Sequence, residues 1–239
     1  MKYEERTYRS LINKDTLTSY NVKIAESDLL ISSDTNLTDQ AAQSLAKHRH
    51  SLETYIKNNP AFQTSLLPLS EDELAPPIIR DMLAKSKICG VGPMAGVAGA
   101  VSEFVGYDLM DNTENLIIEN GGDIFVKSRN QITVSVFAGE SPLSYKVNFI
   151  VKPEKTPLGI CTSSATVGPS INFGQADAVC VISRSATLAD AAASAIGNKV
   201  KSKKDLITAL NYGMKIPGIS GIIIISGKDM GVKGEVELI

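Results

Sequence analysis

Two apolar runs, Asn115–Glu119 and Ile124–Lys127, are separated only by Asn120-Gly-Gly-Asp123. A Gly-Gly step supplies the positive φ that a two-residue hairpin needs, so this stretch commits the chain to antiparallel pairing. The apolar runs that follow, Ile132–Phe137 and Tyr145–Val151, are expected to extend the same antiparallel sheet. Leu158–Cys161, Gln175–Ile182 and Gly221–Ser226 give further strands, and the alternating βαβ pattern of a parallel sheet is missing.

Thr7–Leu11, Ser19–Ala25 and Leu29–Ser32 alternate weakly and predict an N-terminal antiparallel meander. A helix follows, capped by Asn36 or Thr38, with Ala41, Leu45, Leu52, Tyr55 and Ile56 as its apolar stripe and Asn58-Asn-Pro60 as its stop. Pro68, Pro76 and Pro77 frame a second amphipathic helix over residues 78–87. Lys203–Asn211 is a further helix, and the tail to Glu235–Ile239 is expected to close as a last hairpin. The fold class is therefore α+β, an antiparallel β-sheet covered by helices. At 239 residues and 43% hydrophobic, the chain can bury a sizeable core as a single domain over 1–239, with residues 1–88 separable as an N-terminal subdomain.

Composition removes several functions. Net charge −2, no tryptophan and 5% aromatics argue against a nucleic-acid partner. No stretch reaches the ~18 apolar residues of a spanning helix, so no membrane partner is expected. Met1-Lys-Tyr-Glu-Glu-Arg6 lacks the apolar region of a secretion signal, which gives a cytoplasmic expectation. Cys89, Cys161 and Cys180 have no C-x-x-C spacing, so reduced thiols are expected and a zinc site is not. His48 and His50 lie two apart on the first helix, point in different directions and default to the surface. A homo-oligomer is compatible with all of this.

Four segments carry candidate chemistry. Gly90–Glu103 is a tight loop running into a helix of small residues, with Gly92, Pro93 and Met94 at its entry. Gly90, Gly92 and Ala95 match G-x-G-x-x-A formally, but Pro93 in the turn and the absent βαβ unit exclude a dinucleotide fold. Small residues there serve either close helix packing or a phosphate at the helix N-terminus. In the Asn120, Gly121, Gly122, Asp123 turn, missing Cβ atoms permit a ligand's approach and Asp123 can accept its hydrogen bonds; a plain hairpin explains the same residues.

At the end of the Leu158–Cys161 strand, Thr162, Ser163 and Ser164 offer hydroxyls and N–H groups to phosphate oxygens, or simple turn chemistry. Cys161 beside them is either a nucleophile or a buried, inert thiol. Finally, Thr187 opens an alanine-rich helix on which Asp190 and Ser194, four apart, share a face. One carboxylate and one hydroxyl beside substrate phosphates suit Mg²⁺, while Thr187-Leu-Ala-Asp190 is also a capping-box pattern.

These motifs resemble those of the ApbE-like superfamily. Glu119-Asn-Gly-Gly-Asp-Ile124 is similar to its Asn-x-Gly-Gly-Asp-Ile motif, and Ala189-Asp-Ala-Ala-Ala-Ser194 to its Ala-Asp-Ala-x-Ala-Thr motif. Val91-Gly-Pro-Met-Ala95, Cys161-Thr-Ser-Ser164, Leu188–Asn198, Leu52-Glu-x-Tyr-Ile56 and Pro60-x-Phe-x-x-Ser-Leu66 fall in the order of its short cytoplasmic branch. The better-known members are Mg²⁺-dependent transferases that move FMN from FAD to a threonine or serine of a target protein. The resemblance thus implies FAD or FMN as ligand and Asp190 with Ser194 as metal ligands.

Three features depart from those enzymes. Their His-x-x-Asp-Pro segment is replaced by Gly168-Pro-Ser-Ile-Asn-Phe-Gly174, without histidine. Their Lys-Gly step has no counterpart in Pro93–Gly99. Their export leader is also not matched. Relatives in the short branch are linked to sulfide assimilation into homocysteine, which draws attention to Cys161.

The sequence therefore leads to a protein binding a small phosphorylated or flavin-like nucleotide near residues 119–123, 161–164 and 190–194. It is expected to act either as a Mg²⁺-assisted transferase or hydrolase, with Asp123 and Cys161 as the candidate catalytic side chains, or as a non-catalytic accessory protein in sulfur or homocysteine metabolism.

Overall fold

A computed structural model describes residues 17–164 and 174–239. The expected strand at Thr7–Leu11 and most of Gly168–Gly174 lie outside these residues. Strands β1 (Thr18–Ile24) and β2 (Ser27–Ser33) form a hairpin, with β2 buried along its whole length. Helix α1 (Thr38–Asn58) begins where Asn36 Oδ1 accepts the Thr38 N–H at 2.9 Å, and it buries Ala41, Leu45, His48 and Leu52. The one-turn helix α2 (Ala61–Thr64) follows, then α3 (Pro77–Cys89), which starts on a proline and ends on left-handed Gly90.

A short 3-10 turn, Pro93–Gly96, leads into α4 (Val97–Leu109). Next come β3 (Leu116–Asn120), β4 (Asp123–Lys127), β5 (Ile132–Ser135), β6 (Asn148–Val151), β7 (Leu158–Ser163) and β8 (Ala178–Ser183). Helices α5 (Ala186–Gly197) and α6 (Leu206–Gly213), then β9 (Ile219–Ser226), β10 (Asp229–Gly234) and β11 (Glu237–Leu238), complete the order.

Eight strands form one antiparallel sheet in the order β1-β2-β3-β4-β7-β8-β9-β10. Its helical face has two halves. Leu29, Ile31, Leu116, Ile118 and Phe125 pack under α1, α3 and α4, and Cys161, Val179, Val181, Ile222 and Ile224 under α5 and α6. Burying each such side chain is worth roughly 1.5–3 kcal/mol, and Phe125→Ala is expected to cost about 3–5 kcal/mol.

The opposite face departs from the sequence expectation. Ile132–Phe137 and Tyr145–Val151 do not extend the main sheet: β5 and β6 pair with β11 as a separate three-stranded sheet. Val136, Val147, Phe149 and Val151 from this layer meet Ile117, Val126, Ile160, Ile223 and Ile225 of the main sheet in a third core cluster. A strand buried on both faces has apolar residues at consecutive positions, as in Ala178–Ile182 of β8, so periodicity cannot show which layer its neighbours join. The C-terminal hairpin is β9–β10, and β11 crosses to β6. Within the expected Lys203–Asn211 helix, a 3-10 turn at Lys203–Asp205 precedes α6. No single helix among the described residues is long and apolar enough to cross a membrane.

Candidate functional site

The site lies where the β3–β4 turn meets the N-terminal end of α4 and the middle of α5. Gly121 and Gly122 have φ of 69° and 101°, which L side chains rarely adopt. A Cβ built on Gly122 meets nothing nearer than the Thr162 carbonyl oxygen at 3.8 Å, so the turn is open to a ligand. Asn120 and Asp123 stand opposite each other across the hairpin. The Asn120 Nδ2 donates to the Ala98 carbonyl of α4 at 3.1 Å, and the buried Glu119 accepts the Gly122 N–H at 2.7 Å.

Helices α4 and α5 cross almost backbone to backbone. A Cβ on Gly99 would lie 2.3 Å from the Ala186 carbonyl oxygen and 2.8 Å from the Asp190 Cβ, which explains the run of small residues as packing. Asp190 Oδ2 accepts the Gly99 N–H at 2.9 Å, and its carboxylate also takes the Ala98 N–H. Asp190 therefore caps a helix, but the helix is α4, not its own.

The Thr187 capping box is not formed. Ser185 caps α5 by accepting the Leu188 N–H, while Thr187, already inside the helix, donates its hydroxyl to Glu103 at 2.9 Å. Sequence reasoning missed both Ser185 and Glu103. A signal for the second existed: Glu103 is the sole charged residue between Gly90 and Gly106, and a carboxylate in so apolar a helix requires polar partners.

Asp123 is 7% exposed, and among the described residues its Oδ1 has no hydrogen-bond partner. Burial, and then the charge of Asp190, push its carboxyl well above the usual range, against the Cys161 thiol and the Thr162 N–H, which hydrogen-bond it. Burial raises Asp190 to about 7 despite the α4 N–H groups. Two carboxylates that repel each other, with one oxygen unfilled, suit a hard cation, which would relieve the repulsion and supply the missing partner. Ser194 is one turn from Asp190 on the same face of α5 and is partly buried. No group of three or more His, Cys, Asp or Glu among the described residues forms a complete metal cage. The set fits Mg²⁺, which commonly takes one or two carboxylates and completes its shell with water and phosphate oxygens.

Other expected site residues are placed differently. The space a Gly92 Cβ would need is filled by the Ser65 carbonyl oxygen at 1.8 Å, Pro93 is buried, and Met94 packs against the α1–α3–α4 core. Thr162 and Ser163 lie inside β7, not beyond it, and so alternate. Cys161 and Ser163 are on the helical face, while Thr162 hydrogen-bonds Cys180 in the core between the sheets, so the three hydroxyls do not converge on one ligand. Ser164 follows the strand and is partly buried.

The Cys161 thiol is fully buried, shares its single proton between Asp123 and the Ala186 carbonyl, 3.3 Å away, and is pushed up by burial and by Asp123. Burial likewise pushes Cys89 and Cys180 up to about 12. These environments favour inert thiols and lend no support to thiolate chemistry. His48 corrects the surface expectation: it is buried, with Nε2 2.9 Å from Asp108 Oδ2, and it ties α1 to α4 away from the site, while His50 is exposed.

An eight-stranded antiparallel sheet with helices on one face, a small sheet on the other and a Gly-Gly-Asp turn against an Ala-Asp-rich helix is an ApbE-like α+β fold. Solved structures share it. The flavinyl transferase ApbE of Pseudomonas stutzeri aligns with a TM-score of 0.58 at 14% identity, covering 91% of this chain and 94% of that one. The ApbE protein of Thermotoga maritima gives 0.59 at 11% identity, covering 92% and 97%. By sequence the chain belongs to the family described as AbpE bacteria, which it matches over residues 9–211. Similar relatives are the UPF0280 protein of Methanocaldococcus jannaschii, 39% identical with 89% of each chain covered, and that of Methanococcus maripaludis strain C7, 40% identical with 90% of each covered.

Proposed function

We propose that the sheet end formed by Asn120–Asp123, Ser163–Ser164 and Asp190–Ser194 binds a flavin or related phosphorylated nucleotide with Mg²⁺, and acts on it as a metal-assisted transferase or hydrolase. The observation that carries this reading is the buried Asp123 Oδ1, which has no partner among the described residues and faces Asp190. A folded protein rarely leaves a buried carboxylate half satisfied without a use for it. The named ApbE structures support a flavin as the ligand class.

Asp190 and Ser194 would hold Mg²⁺, whose chemistry here is to neutralise a pyrophosphate. The open Gly121-Gly122 turn lets the ligand come close to the backbone, and Asn120 braces that turn against α4. Asp123, once the cation has offset the repulsion from Asp190 and left it ionised, is the carboxylate placed to accept a proton from the ligand or from water. A second reading, binding without group transfer, is favoured by one observation: the two histidines lie on α1, and His48 is engaged by Asp108.

A visible spectrum and mass spectrum of the purified protein, followed by fluorescence titration with FAD with and without Mg²⁺, test the binding; a bound flavin and Mg²⁺-dependent quenching are expected. Incubation with FAD, Mg²⁺ and a threonine-containing acceptor separates the two readings. Slow phosphoanhydride cleavage with no FMN adduct is expected, and a clear adduct would establish transfer without histidine.

A further inference from the structure

Glu103 sits on α4 and is only 2% exposed. Its Oε2 accepts the Thr187 N–H at 2.8 Å, the Thr187 hydroxyl at 2.9 Å and the Ser185 hydroxyl at 2.9 Å, while Oε1 accepts the Tyr107 hydroxyl at 2.5 Å. Three donors on Oε2 and one on Oε1 spend the carboxylate's bonds on its own helix and on the start of α5. Its role is geometric. Ser185 is the cap of α5, and Thr187 belongs to the first turn, so Glu103 pins the start of α5 to α4.

One turn further along α5, Asp190 returns a bond to the Gly99 N–H in the first turn of α4, one turn before Glu103. The two helices are thus joined at two points a turn apart, each carboxylate capping the partner helix. With Gly99 in backbone contact with Ala186 between these points, α5 cannot slide or rotate without breaking a charge-assisted bond.

We propose that Glu103 is the positioning residue of this site. By fixing the start of α5 it sets where Asp190 and Ser194 stand against α4 and the Asn120–Asp123 turn. This rests on the nucleotide–Mg²⁺ reading of that site, but the helix coupling has its own observable.

The experiment uses the full chain in Glu103→Gln and, as a control at the same carboxylate, Tyr107→Phe. In Glu103→Gln the Gly99 amide resonance in a ¹⁵N–¹H spectrum is expected to move as its bond to Asp190 loosens. Mg²⁺-dependent FAD affinity should drop roughly tenfold, the lower end of what losing a group that orients metal ligands costs. Tyr107→Phe lowers thermal stability but moves neither. Should Glu103→Gln fail to fold, Ser185→Ala removes one of the same bonds and is read in the same way. An unchanged Gly99 amide in folded Glu103→Gln, or equal changes in Tyr107→Phe, overturns the proposal. If the wild type binds no FAD with Mg²⁺, the proposed function fails, and the Gly99 amide alone decides the coupling.

Discussion

The two ends of strand β3 treat an aspartate in opposite ways. At its start, Asp34, just past β2, accepts the Thr113 hydroxyl, the Glu114 and Asn115 N–H groups and the Asn115 side-chain amide, all within 2.9 Å. Burial would raise this carboxylate, but the Asn115, Thr113 and Glu114 bonds overcome it and hold Asp34 at about 2. Past its other end, Asp123 is buried deeper, faces a second carboxylate and keeps one oxygen without a partner among the described residues. Asp34 is an anchor whose bonds are complete. Asp123 is incomplete, and what distinguishes it from Asp81, whose Oδ2 also has no partner among the described residues, is its place beside Asp190 and the open Gly121-Gly122 turn.

The largest effect that would sharpen this contrast is on Asp190. Asp190→Asn should weaken Mg²⁺-dependent FAD binding by about 100-fold, or roughly 2.7 kcal/mol, while lowering stability by only the ~0.5–2 kcal/mol of a lost cap. Unchanged affinity in calorimetry would leave Asp190 as the cap of α4 and nothing more.

Asp34→Ala should cost about 1–2 kcal/mol in urea unfolding, discounted because the side chain is exposed, and leave FAD affinity alone. A loss of binding there would break the comparison. Asp123→Asn should reverse that pattern, with stability near neutral pH unchanged or higher and affinity about tenfold weaker, or ~1.4 kcal/mol. Gly122→Val should harm binding more than Asp123→Asn does, since bulk blocks the turn whereas an amide keeps most hydrogen bonds. A melting curve comes first, because at a φ of 101° valine is strained whatever the space, and an unfolded Gly122→Val would assign the glycine to the turn alone.

The smallest effect is in pH. Asp190 has a folded value of about 7 and Asp123 one well above 3.8, so between about pH 4 and 7 the folded state binds more protons than the unfolded chain, and stability falls as pH rises. Asp34 works in the opposite sense, since its depressed value contributes stability that is lost as pH falls from about 4 toward 2. Urea midpoints across this range should decline toward neutral pH in the wild type and flatten in Asp123→Asn.

Local chemistry made much of this legible in the sequence. Asn120-Gly-Gly-Asp123 predicts its hairpin because only positive φ closes a two-residue turn, and α1 and α3 follow from their stripes, caps and prolines. Asp190 and Ser194 share a face because helical spacing requires it. What remained hidden depends on contacts between distant segments. Gly92 looked free for a ligand, yet Ser65 fills its notch. Thr162 looked aligned with Ser163, but the strand continues through both and turns them to opposite faces. Asp190 seemed to cap its own helix, and only the α4–α5 crossing shows which helix it caps. Glu103 lay in plain view, but Ser185 and Thr187, the partners that reveal its role, are more than 80 residues away in the chain.

The incompletely bonded end of β3 and β4 is the proposed seat of the ligand and its cation. Calorimetric titration of FAD into the wild-type protein, with Mg²⁺ and then with a chelator, tests it most directly when repeated on Asp123→Asn and Asp34→Ala. Mg²⁺-dependent binding that Asp123→Asn weakens and Asp34→Ala leaves intact is expected. Equal binding by all three proteins, or no binding by a correctly folded wild type, would contradict it.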